Sequence, residues 1–495
     1  MIPKLIKSRS GLPTLLVDRV YLHSQYDPIN EAKRFVENLT LSKNIEFILL
    51  LEPGLGYCIP FIKEIFTNSK LLVIHVSDYY STSSNTFDKE AHGVWYPSQT
   101  VDLIHFLEKE IPEGSVCQLL EWRPAATAYG KQYGELFALI SQFLEREVAN
   151  IRTTAGFGKR WLRNSIRNLN LVQKPLYFTP GSIPVVVTGA GPGLETAIPL
   201  ILKAMQEGPL CIVAAASSVP ALLAHGIIPT LSVATDGGTW AAFHLVEQFR
   251  SGLSRTGKDQ GVSIPLALNL TAKTISQAAQ VPQIIISDGS IWQNSLLEHY
   301  GIPFLQLPQR GTVSATTIDI ALLLTDGPIY MAGIDLASRD IQTHVRPYGL
   351  DFYNLEQENH FSPLYSLTFK RHRMISNSKA LTIYANWFKN YFADKLHRIR
   401  VLGNRHSLFP ELLVSDRITW EKTIEPSFYV TKIKQSAITT QESVSILLNE
   451  LRNDRAEYSI QQELSYLLQV NRNALSVSEI EGLLYKLFKI EAKNG

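Results

Sequence analysis

The sequence has few cysteines, no excess of charge of either sign and no long apolar run. Its three cysteines, Cys58, Cys117 and Cys211, lack C-x-x-C spacing, which favours reduced thiols over disulfides or a zinc site. The 47 basic and 45 acidic side chains nearly cancel, at a net charge of +2, so no overall field attracts nucleic acid. Short apolar runs, the first interrupted by Pro13, predict no signal peptide, no anchor and a cytoplasmic location.

The hydrophobic content of 45% over 495 residues predicts a chain of several domains. We place an N-terminal α/β domain at 1–180, a central domain at 181–405 and a C-terminal helical domain at 406–495. Strands of the central domain are predicted at residues 185–188, 211–216, 231–235, 265–270, 284–287, 304–307 and 329–332. Their alternation with helical stretches predicts an α/β fold with a Rossmann-like, mostly parallel sheet.

The flanking domains are predicted from shorter patterns. In the first, strands at 46–51 and 71–76 enclose the glycine turn 53–57, and Asp27 is expected to cap a preceding helix. This unit imitates the nucleoside site of a methyltransferase, but a degenerate nucleotide fold that serves as a scaffold fits equally well. In the last domain only helices are predicted, at residues 443–451, 461–468 and 478–488.

A glycine-rich turn follows the first strand of the central domain. It consists of Gly189, Ala190, Gly191, Pro192 and Gly193. Glycines let a ligand approach the backbone, and the helix that follows offers free N–H groups to an anion, so the turn is typical of a phosphate site. A tight strand-to-helix connection that binds no ligand explains the glycines equally well. The next strand runs into serines at 217–218 and not into an acid, which argues against NAD.

Polar groups follow later strands at the same predicted edge. Asp236 and Gly237 end the third strand, where the carboxylate could accept from a ribose or a base, or could cap its own turn. Arg310, Thr312 and Ser314 begin a long helix. Hydroxyls and a guanidinium at a helix start suit phosphate or carboxylate, although N-capping alone would explain the hydroxyls.

Two histidines and one further acid complete the candidates. Asp335 follows the strand at 329–332, and His344 lies a few residues later, where it could act as acid or base near neutral pH. His372 belongs to the basic run 370–373. That run could neutralise a charged donor, or it could be a solvated charged surface.

Together these residues resemble a known family. Residues 189–195, the strand that ends in Asp236, residues 310–314, and residues 333–336 with the later pair 343–344 are similar to the central, MptE-like domain of bacterial motility-associated factors. Those proteins are flagellin glycosyltransferases, and their domain is similar to archaeal hydroxymethylpterin pyrophosphokinases and to a bacterial sialyltransferase family. Trp161, Asn164 and Asn168, with residues 21–28 and 54–57, are similar to the region that precedes the domain in the motility-associated factors.

The resemblance implies transfer of a nonulosonic acid, of the pseudaminic or legionaminic type, from its CMP-activated form to Ser or Thr of flagellin. The residues implied to contact the donor are Gly189, Ala190, Gly191, Pro192, Gly193, Ser217, Asp236, Gly237, Thr312, Ser314 and Asp335. Ala337 stands where the related sialyltransferases have a tyrosine. We therefore expect Arg310 and His344 to stabilise the leaving phosphate and His344 or His372 to deprotonate the acceptor, without a metal or further cofactor.

Two other functions stay open. A pterin pyrophosphokinase would use the same glycine turn with ATP and Mg²⁺, which Asp236 and Asp335 could hold. A non-catalytic flagellin-binding chaperone or adaptor would instead dock its partner on the C-terminal amphipathic helices. The sequence leaves the oligomeric state open, including a homo-oligomer.

Overall fold

A computed structural model describes the chain in two compact units. The described residues are 3–39, 45–82, 87–112, 114–250, 263–309, 311–376, 388, 392, 395–404, 409–431, 438–453, 459–469 and 475–490. The first unit comprises Met1–Gly156 with Gln469–Ala474, and the second comprises Phe157–Leu468 with Leu475–Gly495. The predicted domain boundaries at 180 and 405 stay predictions. In the part of the chain given above, no helix has the length and apolar character needed to cross a membrane.

The first unit combines a small antiparallel meander with a parallel sheet. Its elements are β1 (Lys4–Lys7), β2 (Pro13–Val17), β3 (Val20–Tyr21), α1 (Pro28–Glu37), β4 (Phe47–Leu51), α2 (Ile59–Ile65), β5 (Lys70–Ile74), β6 (Gly93–Trp95), α3 (Leu103–Glu110), β7 (Cys117–Glu121), α4 (Arg123–Tyr129) and α5 (Lys131–Leu169), which continues into the second unit. The parallel sheet has the order β6-β5-β4-β7. Asp27 caps α1 by accepting from the N–H groups of Ile29 and Asn30, which confirms the predicted helix start.

A buried ionic cluster lies at the carboxyl ends of β4 and β5. The His75 ring is 3.4 Å from Glu52 Oε1 and 3.1 Å from Asp88 Oδ2, and it stacks between Tyr80 and Tyr96. Burial by itself would lower the pKa of His75, but the two carboxylates outweigh it and raise this pKa to about 9. His75 is therefore a buried cation that compensates buried carboxylates.

The second unit is built on nine parallel strands. In chain order its elements are β8 (Leu176–Thr179), β9 (Val185–Thr188), α6 (Leu194–Glu207), β10 (Cys211–Ala215), α7 (Val219–Ala224), β11 (Leu231–Ala234), α8 (Ala242–Arg250), β12 (Leu266–Asn269), β13 (Gln283–Ser287), α9 (Ile291–Tyr300), β14 (Phe304–Gln306), α10 (Val313–Leu324), β15 (Ile329–Ala332), α11 (Asp351–Glu356), α12 (Leu364–Ser376), β16 (Ile399–Leu402), β17 (Leu413–Ser415), β18 (Ser427–Val430), α13 (Thr440–Asn453), α14 (Ile460–Gln469) and α15 (Val477–Phe488). The sheet order is β14-β13-β12-β11-β10-β9-β15-β16-β17, and β8 pairs with β18.

Both faces of the nine-stranded sheet are buried. Val185 and Val187 of β9 pack with α10, whereas Val186 between them packs with α6 on the opposite face. This is why the strands are continuous apolar runs and do not alternate with polar residues. The seven predicted strands are present, with each end within one residue of its predicted position, and the predicted Rossmann-like α/β fold is confirmed.

The last part of the chain contains more than the predicted helices. The three C-terminal helices are present, and their apolar faces share a core with α5 and α9. Glu463 of α14 accepts from the N–H groups of Ile291 and Trp292 at the start of α9. However, β17 and β18 also lie beyond residue 406, where no strand is predicted. Both strands are short, and their many exposed side chains give no apolar run.

The ionic cluster predicts a pH dependence of stability in the first unit. Because the folded pKa of His75 lies above the unfolded value of 6.5, its stabilisation should be complete below pH 6.5 and should disappear as the pH rises through 9. We expect His75→Gln to lower the free energy of unfolding by about 3 kcal/mol at pH 6. The variant should also lack the decline between pH 6.5 and 9 in urea unfolding. An unchanged decline would contradict the assignment.

Candidate functional site

The direction in which strands are added to the large sheet reverses between β9 and β15. From β9 the chain adds β10 to β14 on one side, and β15 to β17 follow on the other. In open α/β sheets, ligands bind outside the carboxyl ends of the strands at such a switch point. The candidate site therefore lies around the turn after β9 and the segment after β15.

The glycine turn after β9 is bound to the chain that follows β15. Gly189 N donates to Ala332 O at 2.9 Å, and Gly191 N donates to Gly333 O at 2.7 Å. A methyl group at Gly191 would lie 2.8 Å from Gly333 O and would also overlap the Asp335 carboxylate. The glycines are thus required for a close approach by the protein's own chain.

Asp335 occupies the amino end of α6. Its Oδ2 accepts from Gly193 N at 2.7 Å, which is the interaction that a helix start offers to an anion. In this structure a carboxylate of the chain therefore stands where the sequence predicts a donor phosphate. The predicted phosphate contacts of the turn stay predictions, and they would require Asp335 to move aside.

A cavity opens beside this contact, over the ends of β15 and β16. It has a volume of about 300 Å³, and Gly193, Asp335 and Ser338 belong to its lining. Ser338 Oγ lies 3.0 Å from His372 Nδ1. The predicted base His372 is thereby connected to the edge of the cavity that Asp335 and the glycine turn share.

Residues 339–345, which we call the strap, connect the segment after β15 to the glycine turn and to the first turn of α6. Glu195 in the first turn of α6 accepts from Arg339 Nη2 at 2.7 Å and also from the Gln342 amide. Val345 N donates to Ala190 O at 2.9 Å. The strap fixes the position of His344 relative to the glycine turn.

The loops after β11 and β12 are braced by α5. Asn164 Nδ2 donates to Gly237 O at 3.3 Å and to Thr271 O at 2.9 Å. Asn168 Nδ2 donates to Leu270 O and Ala272 O, both at 2.8 Å. These contacts explain why two asparagines, four positions apart on one helix, accompany the other motifs.

Asp236 ends β11 with an exposed carboxylate. Its Oδ1 accepts from Gly238 N at 2.7 Å, so the side chain caps its own turn, one of the two roles considered from the sequence. A methyl group at Gly237 would lie 2.6 Å from the Trp161 ring. The turn is therefore held rigidly at the edge of the sheet.

Two histidines, a tyrosine and an arginine gather beside Asp236. The His344 ring stacks on Tyr348 with centroids 4.1 Å apart, and the His244 ring is tilted at 4.9 Å from the same tyrosine. Arg371 lies 5.1 Å above the Tyr348 ring and donates to its hydroxyl at 3.4 Å. We call Asp236, His244, His344, Tyr348 and Arg371 the histidine cluster.

Both imidazoles of the histidine cluster are neutral at pH 7. Burial lowers the pKa of His344 to about 3, and Arg371 and His244 add to this effect. Burial also lowers the pKa of His244 to about 4, with Asp236 opposing and Arg371 assisting. His244 Nδ1 is buried without a hydrogen-bond partner among the described residues. The cluster thus combines one cation with two unprotonated nitrogen bases.

The remaining predicted residues are less informative. Thr312 caps α10 by accepting from Ala315 N at 3.2 Å, and Ser314 lies in the first turn of that helix. Ser217 is half-buried in a 3-10 helix after β10. Arg310 lies outside the described residues. Over the described ranges, no group of three or more His, Cys, Asp or Glu side chains could hold a metal ion.

The glycine turn of the first unit is filled by a side chain of the protein. His23 Nε2 accepts from Leu55 N at 2.8 Å, and Gly54, with φ of +63°, lies directly beneath the ring. Burial lowers the pKa of His23 to about 3. Because the imidazole uses the backbone N–H that a ligand would need, the geometry favours a scaffold over a methyltransferase site.

The structure joins predicted residues into two neighbouring groups. The glycine turn and Asp335 line the cavity, to which His372 is connected through Ser338, whereas Asp236 and His344 belong to the histidine cluster. His244 and Tyr348 were missed from the sequence, because neither directly follows a strand. The only available signal was the spacing of four between His344 and Tyr348.

Comparisons with known proteins agree with this architecture. Residues 159–340 match the family model described as 6-hydroxymethylpterin diphosphokinase MptE-like. An uncharacterized protein of Treponema pallidum (strain Nichols) is 25% identical over 336 residues, which cover 67% of this chain and 71% of that protein. The structure of MAf glycosyltransferase from Magnetospirillum magneticum AMB-1 aligns with a TM-score of 0.56 at 11% identity, covering 98% of this chain and 85% of that chain.

These matches confirm the resemblance that the sequence motifs indicate. Residues 159–340 of the second unit are similar to the MptE-like domain, and the fold of the chain is similar to that of the MAf glycosyltransferase. At 11% identity, the structural match establishes the fold and not the reaction.

The contact between the two loops predicts a strict need for glycine at position 191. We expect Gly191→Ala to lower the free energy of unfolding by about 1–3 kcal/mol, because the new methyl group meets a carbonyl oxygen of the backbone. The matched control is Gly482→Ala in α15, where an added methyl group meets nothing within 4 Å. The control should be neutral or stabilising. Thermal unfolding of both variants checks this, and equal effects would contradict the close approach.

The neutral histidines predict that acid destabilises the second unit. The folded pKa of His344 lies below the unfolded value of 6.5. The unfolded chain therefore binds more protons between pH 6.5 and about 3, and the free energy of unfolding should decrease as the pH is lowered through this range. His344→Gln should reduce this slope by at most about 1.4 kcal/mol per pH unit. Urea unfolding at pH 7, 6 and 5 measures the slope. A slope equal to that of the wild type would show that folding does not lower the pKa of His344.

Proposed function

We propose that the protein is a glycosyltransferase that moves a sugar from a nucleotide-activated donor to a hydroxyl group. In its finer form, the donor is a CMP-activated nonulosonic acid, the acceptor is Ser or Thr of flagellin, and the reaction takes place in the cytoplasm. The histidine cluster carries the proposal. It combines an exposed carboxylate suited to hydroxyl groups, a cation suited to a phosphate, and neutral imidazoles suited to accept a proton.

The transfer requires the site to stabilise the leaving phosphate and to remove the acceptor proton. The acceptor oxygen forms a bond to the anomeric carbon while the bond from that carbon to the phosphate oxygen breaks. The nucleotide leaves with the electron pair, and the acceptor proton passes to an imidazole nitrogen. We assign stabilisation of the leaving phosphate to Arg371, together with Arg310, and removal of the proton to His344 or His372.

The pKa of His344, which burial lowers most and Arg371 lowers further, would rise in part when a donor is bound. A pKa of about 3 makes the imidazole a weak base. A phosphate beside Arg371 would offset the positive charge that helps to lower this pKa, and the basicity of His344 would rise. Donor binding would thereby activate the base.

A pterin pyrophosphokinase is the second candidate, and the description of the matching family model favours it. That reaction needs ATP with Mg²⁺, which carboxylates usually hold. Of the two predicted carboxylates, Asp335 already accepts from Gly193 N, and Asp236 lies beyond β10 at the end of β11. The geometry therefore supports the transferase better.

The adaptor alternative loses its proposed docking surface. The apolar faces of α13, α14 and α15 are buried in a core with α5 and α9. A partner could reach these side chains only if the helices separated from the second unit.

The decisive assay offers both sets of substrates to the purified full-length chain. With CMP-activated nonulosonic acid and flagellin we expect release of CMP and an increase in flagellin mass by one nonulosonic acid residue. With ATP, Mg²⁺ and hydroxymethyldihydropterin we expect no AMP. AMP formation without any change in flagellin mass would favour the pyrophosphokinase and contradict the glycosyltransferase.

The same assay tests the bases. Replacing both His344 and His372 with alanine should lower kcat by about 100-fold or more, since general-base catalysis contributes at least that much. His299→Ala, which removes an exposed histidine from α9, should leave kcat unchanged. Near-normal activity of the double variant would refute the assignment of the base.

A further inference from the structure

A large aromatic side chain is exposed directly beside Asp236. Trp240 lies in the 3-10 helix Thr239–Ala241 after the Asp236 turn, and 51% of it is exposed. By contrast, Trp292 of the same unit is 1% exposed. Because exposure of a tryptophan forgoes the stabilisation that burial would give, a half-exposed ring at a candidate site suggests contact with a ligand.

The Trp240 ring is held in place from within the protein. Phe243 stacks against it with centroids 5.8 Å apart, and Tyr353 of α11 lies 4.7 Å from it at a tilt of 54°. Tyr353 also contacts Phe243 at 6.0 Å. The three rings support one another, so a ligand that stacks on Trp240 need not order it first.

The backbone beneath Trp240 is fixed as well. Asp236 accepts from Gly238 N, Asn164 donates to Gly237 O, and Lys273 N donates to Asp236 O at 2.8 Å. The distance from the tryptophan to the carboxylate is therefore set by the fold and not by a loose loop.

The neighbours of Trp240 match the parts of a nucleotide in order. Asp236 offers an exposed carboxylate four residues before Trp240, and the next residue after Phe243 is His244 of the histidine cluster, where Arg371 supplies the cation. A nucleotide has matching parts in the same order: a planar base for the aromatic ring, a ribose with two hydroxyl groups for the carboxylate, and a phosphate for the cation. The acidic donor sugar fits this end less well, because its carboxylate would meet Asp236.

We propose that Trp240 is the stacking platform for the nucleobase of the donor, with Asp236 accepting from the ribose hydroxyls and Arg371 facing the phosphate. This assignment rests on the proposed function and names the half of the donor that the site recognises. Stacking on an aromatic ring tolerates any base. The platform accordingly fixes where the base lies, and other groups select cytosine.

The test titrates CMP and ribose 5-phosphate, which lacks the base, into the full chain by calorimetry. We expect Trp240→Ala to weaken CMP binding by roughly 5- to 150-fold, the effect of losing one base stack, and to leave ribose 5-phosphate binding unchanged. Trp240→Phe, which keeps an aromatic ring, should restore most of the CMP affinity. The control Tyr177→Ala removes an aromatic residue of β8 that is 54% exposed and should change neither affinity.

The outcomes separate this inference from the proposed function. Equal CMP affinity in Trp240→Ala and wild type, or equal losses for both ligands, would overturn the platform even if flagellin is modified. Binding of ATP but not CMP, with loss of ATP binding in Trp240→Ala, would support the platform and overturn the CMP donor. Failure of the wild type to bind any nucleotide would overturn both.

Discussion

The hydrogen bonds between the turn after β9 and the chain after β15 are the constraint on which the site depends. They close the switch point of the sheet, because Gly189 and Gly191 bring the two backbones into contact. Once these loops are joined, the strap through Val345 is directed across the carboxyl edge towards α8, two strands away from β9. Val345 holds the strap at Ala190, and Tyr348, three residues later, contacts His244 of α8, so this part of the chain joins the glycine turn to the histidine cluster.

The contact between the two loops gives the glycine-rich turn a different role from the one that its sequence predicts. Glycines at a helix start suit a bound phosphate and an approaching backbone equally well, since both need the space that a side chain would fill. Here Asp335 supplies the negative charge at α6, and the segment after β15 supplies the close contact. We therefore propose that a donor meets its positive charge at Arg371, beside the two histidines. The anion site that we propose and the helix start are therefore different places in this fold.

The sequence predicts the fold far better than the site, for a physical reason. Buried parallel strands such as β9 and β15 are continuous apolar runs, so they are visible without any tertiary information. Short strands with exposed residues, such as β17, give no such run and were missed. The site depends on pairings between distant segments, such as Asn164 with Gly237 and His244 with Tyr348, which no local pattern encodes. Asp335 was predicted at the correct edge, but its partner, Gly193 N, followed only from the coordinates.

In the proposed reaction, the histidine cluster would link recognition of the donor to its chemistry through charge. Burial is the main cause of the low pKa of both imidazoles, and Arg371 lowers both pKa values further. Arg371 is also the cation that we propose faces the phosphate. A phosphate that neutralises this guanidinium would remove its part of the effect, while the part due to burial would remain. Asp236 opposes Arg371 at His244 but is not among the groups that shift His344. In the proposed reaction, a bound phosphate would therefore raise the pKa of His344 in part, and this would couple proton removal to the presence of a donor.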